Sequence, residues 1–357
     1  MTREVRLLRL VFAVFATAIV LPFAALAQQD EGSFPFNPAT HSHNDYYQPR
    51  PLLDALDSGM ASIEADIFYV EIPFVDADGE PRAMRELYIA HDWEEIEGNV
   101  DGYNRTKGTL SELYLDPLWE IYQETGEIYP GETLLLHADM KTATETTWPV
   151  LENTLRNYPG LFTTYDVETQ EVTPGPVTVY TNEEPGGDFL AGYGTIHSTA
   201  DGRFGDIFDP AVWDSEAYTE RSWRMPIISS NFQSYIDIER MFEFQVPEDE
   251  IVSEYSEEYP DLTAENLASE LDSDGWALAN QLLEDGSITV SDYLVEQLEE
   301  ASRLGTENSH LMRFWASPDA QWFWDIAGPL ENVVILTDHP REVSSYLQGA
   351  QGGGAGN

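Results

Sequence analysis

Short apolar segments alternate along this chain with segments whose apolar residues recur at helical spacing. The apolar segments that predict strands are FNPATHSH, ASIEADIFYV, ELYIAHD, TLLLHADMK, PVTVYTN, PIISS, LMRFWAS and NVVILTD. Intervening segments such as RPLLDALDSGM and TETTWPVLENTLRNY predict helices. This alternation favours parallel strands joined by crossover helices, and eight such units in roughly 300 residues predict an α/β fold of the (β/α)₈ TIM-barrel type. An open doubly wound sheet is the main alternative, but no glycine-rich phosphate loop follows the first strand to favour it.

The stretch between the sixth and seventh predicted strands, about residues 233–308, is long and acidic. Its pattern is that of several helices, and we interpret it as a helical insertion packed on the barrel. Residues 28–347 are therefore predicted to form a single domain. The segment after it, residues 348–357 (QGAQGGGAGN), has the glycine-rich composition typical of a disordered tail.

The first 27 residues have the layout of a signal peptide. Arg3, Arg6 and Arg9 precede an apolar run, and the small residues of ALA follow at positions 25–27. We expect cleavage near Ala27 and a secreted or periplasmic protein; a single N-terminal membrane anchor is the alternative. No later stretch approaches ~18 uninterrupted apolar residues, so no stable membrane insertion is expected after cleavage.

The composition restricts the partners and the chemistry. With 65 acidic residues against 17 basic ones the formal net charge is −48, so the surface should repel nucleic acid and anionic membranes. The 16 Phe, 18 Tyr and 9 Trp residues indicate a folded core rather than an acidic disordered chain. There is no cysteine, which excludes disulfides and thiolate nucleophiles.

Chemically active residues gather at the carboxyl ends of the predicted strands, where barrel active sites form. Spacings of two or four place them on one side of their strands, in the sets His41/His43, Glu64/Asp66 and His137/Asp139/Lys141. Two of these strands are otherwise apolar, and buried carboxylates cost several kcal/mol unless they are paired or bound to a metal. Three carboxylates with one lysine leave a surplus of negative charge, which a divalent cation would balance.

The oxygen ligands Glu64, Asp66 and Asp139 suit one hard divalent cation, Mg²⁺ or Ca²⁺. Lys141 beside the ion would favour an anionic phosphate. A histidine of the first strand and His91 after the third supply a general base and a general acid, so the sequence predicts metal-assisted phosphodiester cleavage. Each motif alone is weak, and His137 alone is equally consistent with a hydrogen-bonded core histidine; the order of the motifs on successive strands carries the prediction.

This order resembles the phosphatidylinositol-phospholipase-C-like phosphodiesterase superfamily, near the glycerophosphodiester phosphodiesterases. The matching motifs are the first-strand histidine, IEADI, AHD, ADMK, RFWAS around Trp315, and LTDHP. The run HSHNDYYQPRPLLDALDSGMASIEADI is similar to the branch that includes the altered-inheritance-of-mitochondria proteins and exported bacterial relatives.

The resemblance implies a barrel, one divalent ion on Glu64, Asp66 and Asp139, two catalytic histidines and Lys141 on the phosphate, with attack by a substrate hydroxyl or by water. The histidine–arginine pair of the glycerophosphodiesterases is replaced here by HSHND, and Arg50 is the candidate substitute. The residues that we assign to catalysis are His41, His43, His91 and Lys141, and those that we assign to substrate contacts are Asn44, Arg50, His137 and Trp315. His41 has the spacing to Asn44 that is found in sphingomyelinase-D-like relatives, so we favour His41 as the base and His43 as a supporting or substrate-contacting residue.

The sequence therefore predicts an exported, metal-dependent phosphodiesterase acting on a glycerophosphodiester or a related phospholipid-headgroup diester. One alternative is a zinc-dependent amidohydrolase-type barrel, in which the first-strand HSH would bind zinc; that class needs histidines on the fifth and sixth strands, and VYTN and ISSN have none. A non-catalytic exported binding protein with the same fold is the other.

Overall fold

The computed structural model of the protein describes residues 34–100 and 107–353. The predicted signal peptide lies outside the described residues, as do residues 354–357 of the predicted tail. Within the described part of the chain, no helix has the length and apolar character needed to cross a membrane.

The strands are, in chain order, β1 (Asn37–Ser42), β2 (Met60–Val75), β3 (Pro81–Ile89), β4 (Gly108–Thr109), β5 (Leu134–Met140), β6 (Thr164–Asp166), β7 (Val172–Thr173), β8 (Val177–Thr181), β9 (Thr195–Ile196), β10 (Ser198–Ala200), β11 (Ile227–Asn231), β12 (Phe242–Phe244), β13 (Ile288–Val290), β14 (Leu311–Trp315) and β15 (Val333–Thr337). The α-helices are α1 (Leu53–Asp57), α2 (Trp93–Val100), α3 (Asp116–Thr125), α4 (Thr144–Leu155), α5 (Gly187–Ala191), α6 (Pro210–Trp213), α7 (Glu216–Thr219), α8 (Phe232–Tyr235), α9 (Glu248–Tyr255), α10 (Leu267–Glu270), α11 (Ala277–Asp285), α12 (Asp292–Asn308), α13 (Gln321–Ala327) and α14 (Pro340–Gly353).

Parallel strands form one curled sheet in the order β10-β8-β5-β2-β1-β15-β14-β11. The arrangement is consistent with a TIM-like barrel, but no continuous ladder of backbone hydrogen bonds joins β10 to β11. An isolated parallel bridge connects Gly202, just after β10, to Ile228 of β11. A Cβ atom at Gly202 would lie 2.3 Å from Cδ1 of Ile228, so a larger residue there would force the Ile228 side chain to move. The result is a half-barrel with the carboxyl ends of its strands at one mouth.

The core lies between this sheet and the surrounding helices. β2 and β5 are buried along most of their length, as expected of parallel strands covered on both faces. Helix α4 shows how the sequence places a helix there, because Trp148, Leu151 and Leu155 recur at helical spacing and are fully buried in the main cluster. The segment between β11 and β14 contains α8 to α12 and the antiparallel pair β12–β13.

The predicted membership of the parallel sheet is wrong for one strand. ELYIAHD forms the end of β3, which pairs antiparallel with β2, for example Ile67 with Ile89. β2 continues for 16 residues, and the chain turns back at Gly79, whose φ of +83° is a conformation that glycine adopts readily. The parallel strand that the sequence did not reveal is β10, whose three residues are too short to show a pattern.

The end of the chain also differs from expectation. Helix α14 continues to Gly353, six residues into the segment predicted to be a disordered tail. The helix is anchored by Val343 and Leu347, which are buried in the main core cluster.

Glu152 of α4 fixes the start of β10, and its replacement should destabilise the fold. Its carboxylate is fully buried and accepts hydrogen bonds from the backbone N–H groups of His197 and Ser198 and from the Ser198 hydroxyl, at 2.7–3.0 Å. Glu152→Ala would leave these donors buried and unpaired, at a cost of about 3 kcal/mol in the free energy of unfolding. Denaturant unfolding would measure the loss, with exposed Glu145→Ala on the same helix as the control. Equal stabilities of the two variants would contradict this role.

Candidate active site

Three neighbouring strands bring the polar side chains predicted from the sequence to one place inside the sheet. Because β2 and β5 are parallel and in register, Glu64 lies beside His137 and Asp66 beside Asp139. The carboxylate oxygens of Glu64, Asp66 and Asp139 come within 4.8 Å of one another, a spacing that could hold a metal ion. The structure therefore assembles the predicted ligand set.

Lys141 follows β5 and lies against two of these carboxylates. Its Nζ is 2.6 Å from Oδ2 of Asp139 and 3.1 Å from Oδ2 of Asp66. Burial would lower the pKa of Lys141, but the two negative charges outweigh burial and raise it, so the side chain is an ammonium. Tyr46 adds a second donor to Asp66, with its hydroxyl 2.9 Å from the same Oδ2.

The other oxygen of Asp66 is available for a cation. Oδ1 is buried and accepts no hydrogen bond from the described residues. Burial, together with the charges of Glu64 and Asp139, raises the pKa of Asp66 to about 7 despite the nearby Lys141. A buried carboxylate oxygen without a donor, among two further carboxylates, is the arrangement that a hard divalent cation satisfies. The residues present therefore fit the cation predicted from the sequence.

The two carboxylate oxygens of Glu64 differ in their contacts. Its Oε1 accepts from Nδ1 of His137 at 3.0 Å and from Nη2 of Arg313 at 3.2 Å. Its Oε2 has weaker contacts: the backbone N–H of Asn44 at 3.3 Å and Nε2 of His41 and His43 at 3.6 Å each. Burial would raise the pKa of Glu64, but the histidines and the Arg313 charge outweigh burial and hold the pKa well below its usual value. Glu64 is thus an ionised carboxylate whose Oε2 could contact a cation.

The two histidines of HSHNDYY have different surroundings. His41 is fully buried, its Nδ1 is 2.7 Å from the Ser62 hydroxyl, and burial together with the Arg313 charge lowers its pKa to about 3. The His43 side chain is 39% exposed at the mouth, and its Nδ1 is 2.9 Å from Oδ1 of Asp338. Burial would lower the pKa of His43, but the bond to Asp338 and the charge of Glu64 outweigh it and raise the pKa. Of the two, His43 is the one that a substrate can reach, and its pKa is raised whereas that of His41 is lowered.

His91 reaches the same mouth by way of the hairpin. β3 returns antiparallel along β2, so that the N–H of Ala90 lies 3.3 Å from the carbonyl oxygen of Asp66. His91 is exposed, and its ring centroid lies 6.5 Å from that of Tyr47. The backbone N–H of His91 donates to Glu95 at 3.0 Å.

The four residues assigned to substrate contacts lie in different settings. Asn44 has a left-handed backbone conformation, with φ of 45°, and its N–H donates to Oε2 of Glu64 at 3.3 Å. Trp315 is the last residue of β14, and 39% of its surface is exposed. His137 is buried, with its ring stacked on Tyr180 at 4.6 Å between centroids, a position that suits a structural role. Arg50 is engaged by surface carboxylates, with bonds of 2.8 and 2.7 Å to Asp54 and Asp57.

Sequence reasoning missed two residues of the cluster, Arg313 and Tyr46. A signal existed for Arg313, since an arginine in the otherwise apolar segment LMRFW is unusual for a buried strand. Tyr46 carried no comparable signal, because tyrosine is frequent both in cores and at surfaces.

A second group of possible ligands shares Glu64. It consists of His41, Glu64 and His137, all buried, with Nε2 of both histidines lacking a hydrogen-bond partner among the described residues. This group offers two imidazole nitrogens and one carboxylate, whereas a hard divalent cation prefers oxygen ligands. The cation therefore fits better at Glu64, Asp66 and Asp139.

A TIM-like half-barrel with carboxylates, a lysine and histidines at its mouth is the arrangement that the sequence analysis expects of a barrel-type phosphodiesterase. Residues 35–186 match the model of the AIM6-like phosphodiesterase domain family. This match confirms the resemblance found in the sequence: residues 35–186 are similar to a phosphodiesterase domain family of the altered-inheritance-of-mitochondria branch.

Curated relatives agree with this match. The chain is similar to altered inheritance of mitochondria protein 6 of Lachancea thermotolerans, with 32% identity over 40% of this chain and 33% of the relative. It is also similar to the homolog in Arthroderma benhamiae (29%, covering 39% and 45%) and to the protein of Candida glabrata (29%, covering 55% and 51%). The similarity thus spans about a third to a half of the length of these relatives.

Proposed function

We propose that this protein is a phosphodiesterase that uses one divalent cation, Mg²⁺ or Ca²⁺, held by Glu64, Asp66 and Asp139. The substrate class that we propose is a glycerophosphodiester or a related phospholipid-headgroup diester. The observation that carries the proposal is the unpartnered, buried Oδ1 of Asp66 among three carboxylates next to Lys141. From the N-terminal sequence pattern we also propose that the protein is exported.

The charges of the cluster agree with an anionic substrate. The carboxylates of Glu64, Asp66 and Asp139 carry three negative charges, and Lys141 and Arg313 carry two positive ones, so the cluster has a surplus of one negative charge. A bound divalent cation would convert this surplus into one positive charge. A phosphodiester carries a single negative charge, which would neutralise the loaded site.

The side chains around the cluster can supply the remaining chemistry. When bound, the cation would act as a Lewis acid on a phosphoryl oxygen. His43, oriented by Asp338, would take the proton from the attacking hydroxyl or water as general base. His91 would give a proton to the leaving oxygen, and the Lys141 ammonium would hold a non-bridging phosphate oxygen. His41 is fully buried, so we assign it to the positioning of Glu64 and not to proton transfer.

The proposal is tested by assaying the purified chain on bis(p-nitrophenyl)phosphate and glycerophosphocholine. The assays use Mg²⁺, Ca²⁺ or EDTA in high salt. Hydrolysis that requires a divalent cation and stops in EDTA is the expected result. Turnover that is unaffected by EDTA, or no turnover of either diester with any cation, would contradict the proposal.

Cation affinity should depend on pH through Asp66. Its pKa of about 7 means that Asp66 is mostly protonated below that pH, and a cation must then displace the proton. We expect affinity to fall by about tenfold per pH unit below ~7 and to be nearly constant above it. Calorimetric titration of Ca²⁺ between pH 5.5 and 8.5, in buffers of different ionisation enthalpy, would show both the affinity and the proton release. Constant affinity and no proton release across this range would contradict the assignment of Asp66 as a ligand.

A further inference from the structure

Arg313 is a buried cation that the chemistry proposed above does not use directly. It lies in β14, only 3% of its surface is exposed, and its Nε and Nη1 find no hydrogen-bond partner among the described residues. A guanidinium buried in this way is a poor source of stability, because well-packed apolar residues often replace such groups without loss. Its placement therefore suggests a role in the site.

Arg313 contacts the candidate cation site through Glu64. Nη2 lies 3.2 Å from Oε1 of Glu64, the oxygen on the opposite side from Asn44 and His43. Nη1 lies 4.0 Å from Oδ2 of Asp201, the second carboxylate facing the guanidinium.

The charge of Arg313 is not cancelled by Asp201 alone. Asp201 is itself shared, since Nε of Arg203 lies 3.2 Å from its Oδ1. Asp201 is shared between the two guanidinium groups, so it offsets the charge of Arg313 only in part, and the remainder acts on Glu64 and on whatever Glu64 binds.

We propose that Arg313 sets the net charge of the candidate site, making it bind its divalent cation more weakly and an anionic phosphodiester more tightly. The inference rests on the proposed function and assigns Arg313 as a positioning residue that acts through Glu64. A fixed positive charge next to the ligand carboxylate repels the cation and attracts the substrate anion. Removing this charge should therefore change the two affinities in opposite directions, which a purely structural defect would not do.

The test compares Arg313→Met, which removes the charge, with Arg313→Lys, which keeps it. Calorimetry at pH 8 measures the dissociation constant of Ca²⁺, and assays at saturating Ca²⁺ give KM and kcat for bis(p-nitrophenyl)phosphate. For Arg313→Met we expect Ca²⁺ to bind about tenfold more tightly and KM to rise about tenfold, with a smaller change in kcat. Arg313→Lys should return both constants toward those of the wild type. Changes of both constants in the same direction, or a lysine variant that behaves like the methionine variant, would overturn the inference.

Arg224→Met is the matched control. Arg224 is also nearly buried, with 8% of its side chain exposed, and it pairs with Glu184 instead of a ligand carboxylate. Its loss should lower the melting temperature and leave both constants unchanged. If Arg224→Met also bound Ca²⁺ more tightly and had a higher KM, loss of any buried arginine would produce the effect, and the inference would be overturned.

Asp201→Asn tests the inference if Arg313→Met does not fold. This nearly isosteric change removes the carboxylate that faces Arg313 and makes the surroundings of the site more positive. Ca²⁺ should then bind more weakly and KM should fall, and unchanged constants would overturn the inference.

The wild-type protein separates this inference from the proposed function. A wild-type protein that binds Ca²⁺ without hydrolysing any diester would contradict the proposed function alone. The dissociation constants of Ca²⁺ and of the diester, measured by equilibrium dialysis, would then decide the Arg313 inference. A wild-type protein that binds neither Mg²⁺ nor Ca²⁺ would overturn both.

Discussion

Asp66→Asn is expected to abolish cation binding and to lower kcat/KM for phosphodiesters by at least about 10³-fold, since the cation supplies several kcal/mol of transition-state stabilisation. The asparagine has nearly the same shape, so the bonds that Tyr46 and Lys141 make at this position can be kept in part. The protein should remain folded. The negative charge of Asp66 is unfavourable in the cation-free site, as its raised pKa shows, so its removal should not lower the free energy of unfolding at pH 8.

The measurements are calorimetric titration with Ca²⁺ and Mg²⁺, kinetics on bis(p-nitrophenyl)phosphate, and denaturant unfolding. Asp116→Asn is the control, because Asp116 also accepts a tyrosine hydrogen bond, from Tyr158 at 2.7 Å, but belongs to α3. It should leave cation binding and turnover unchanged. Wild-type cation affinity in Asp66→Asn would exclude Asp66 as a ligand and remove the main support for a metal-dependent reaction.

His43→Asn is expected to reduce kcat by about 10² to 10⁴-fold, the range typical for loss of a general acid or base. The side chain is partly exposed and its main bond is to the exposed Asp338, so stability should change by less than about 1 kcal/mol. The dependence of kcat/KM on pH should also lose the limb that reports the His43 base. These effects would identify His43 as the residue that takes the proton.

His41→Asn is the matched comparison within the same motif. His41 is fully buried against Ser62 and Glu64, so its replacement should destabilise the fold by about 1–3 kcal/mol. Turnover by the folded fraction should fall less than in His43→Asn, and the limb of the pH profile should remain. A larger loss of kcat in a well-folded His41→Asn protein would restore the assignment favoured by the sequence, in which His41 is the base.

The hairpin β2–β3 shows where reasoning from sequence fails for a simple physical reason. Apolar patterning indicates a strand at ELYIAHD but does not indicate its direction, and the strand is antiparallel to β2 instead of parallel as predicted. His91 nevertheless follows a strand that ends beside Ile67 of β2. β2 extends far beyond the sheet, and β3 returns its last residues to the level of Asp66.

Arg50 and Arg313 show the same limit for charged residues. Arg50 is the predicted substitute for the arginine of the glycerophosphodiesterase histidine–arginine pair, yet it is bound by Asp54 and Asp57 of α1. Arg313 is separated from Glu64 by 249 positions in sequence, and only the neighbourhood of strands in the curled sheet brings the two together. Local spacing cannot report a contact of this kind.

The α/β class, the alternation of strands and helices, and the grouping of Glu64, Asp66 and Asp139 on two buried strands, with Lys141 directly after one of them, were predictable from local sequence patterns. This was possible because side chains two apart share a face of any strand, and charges on an apolar strand need a partner. The three-dimensional fold was needed to show which histidine is exposed at the mouth, which arginine contacts Glu64, and which strands are parallel. Burial and pairing between distant segments depend on how the strands assemble, and a pattern of neighbouring residues does not contain that information.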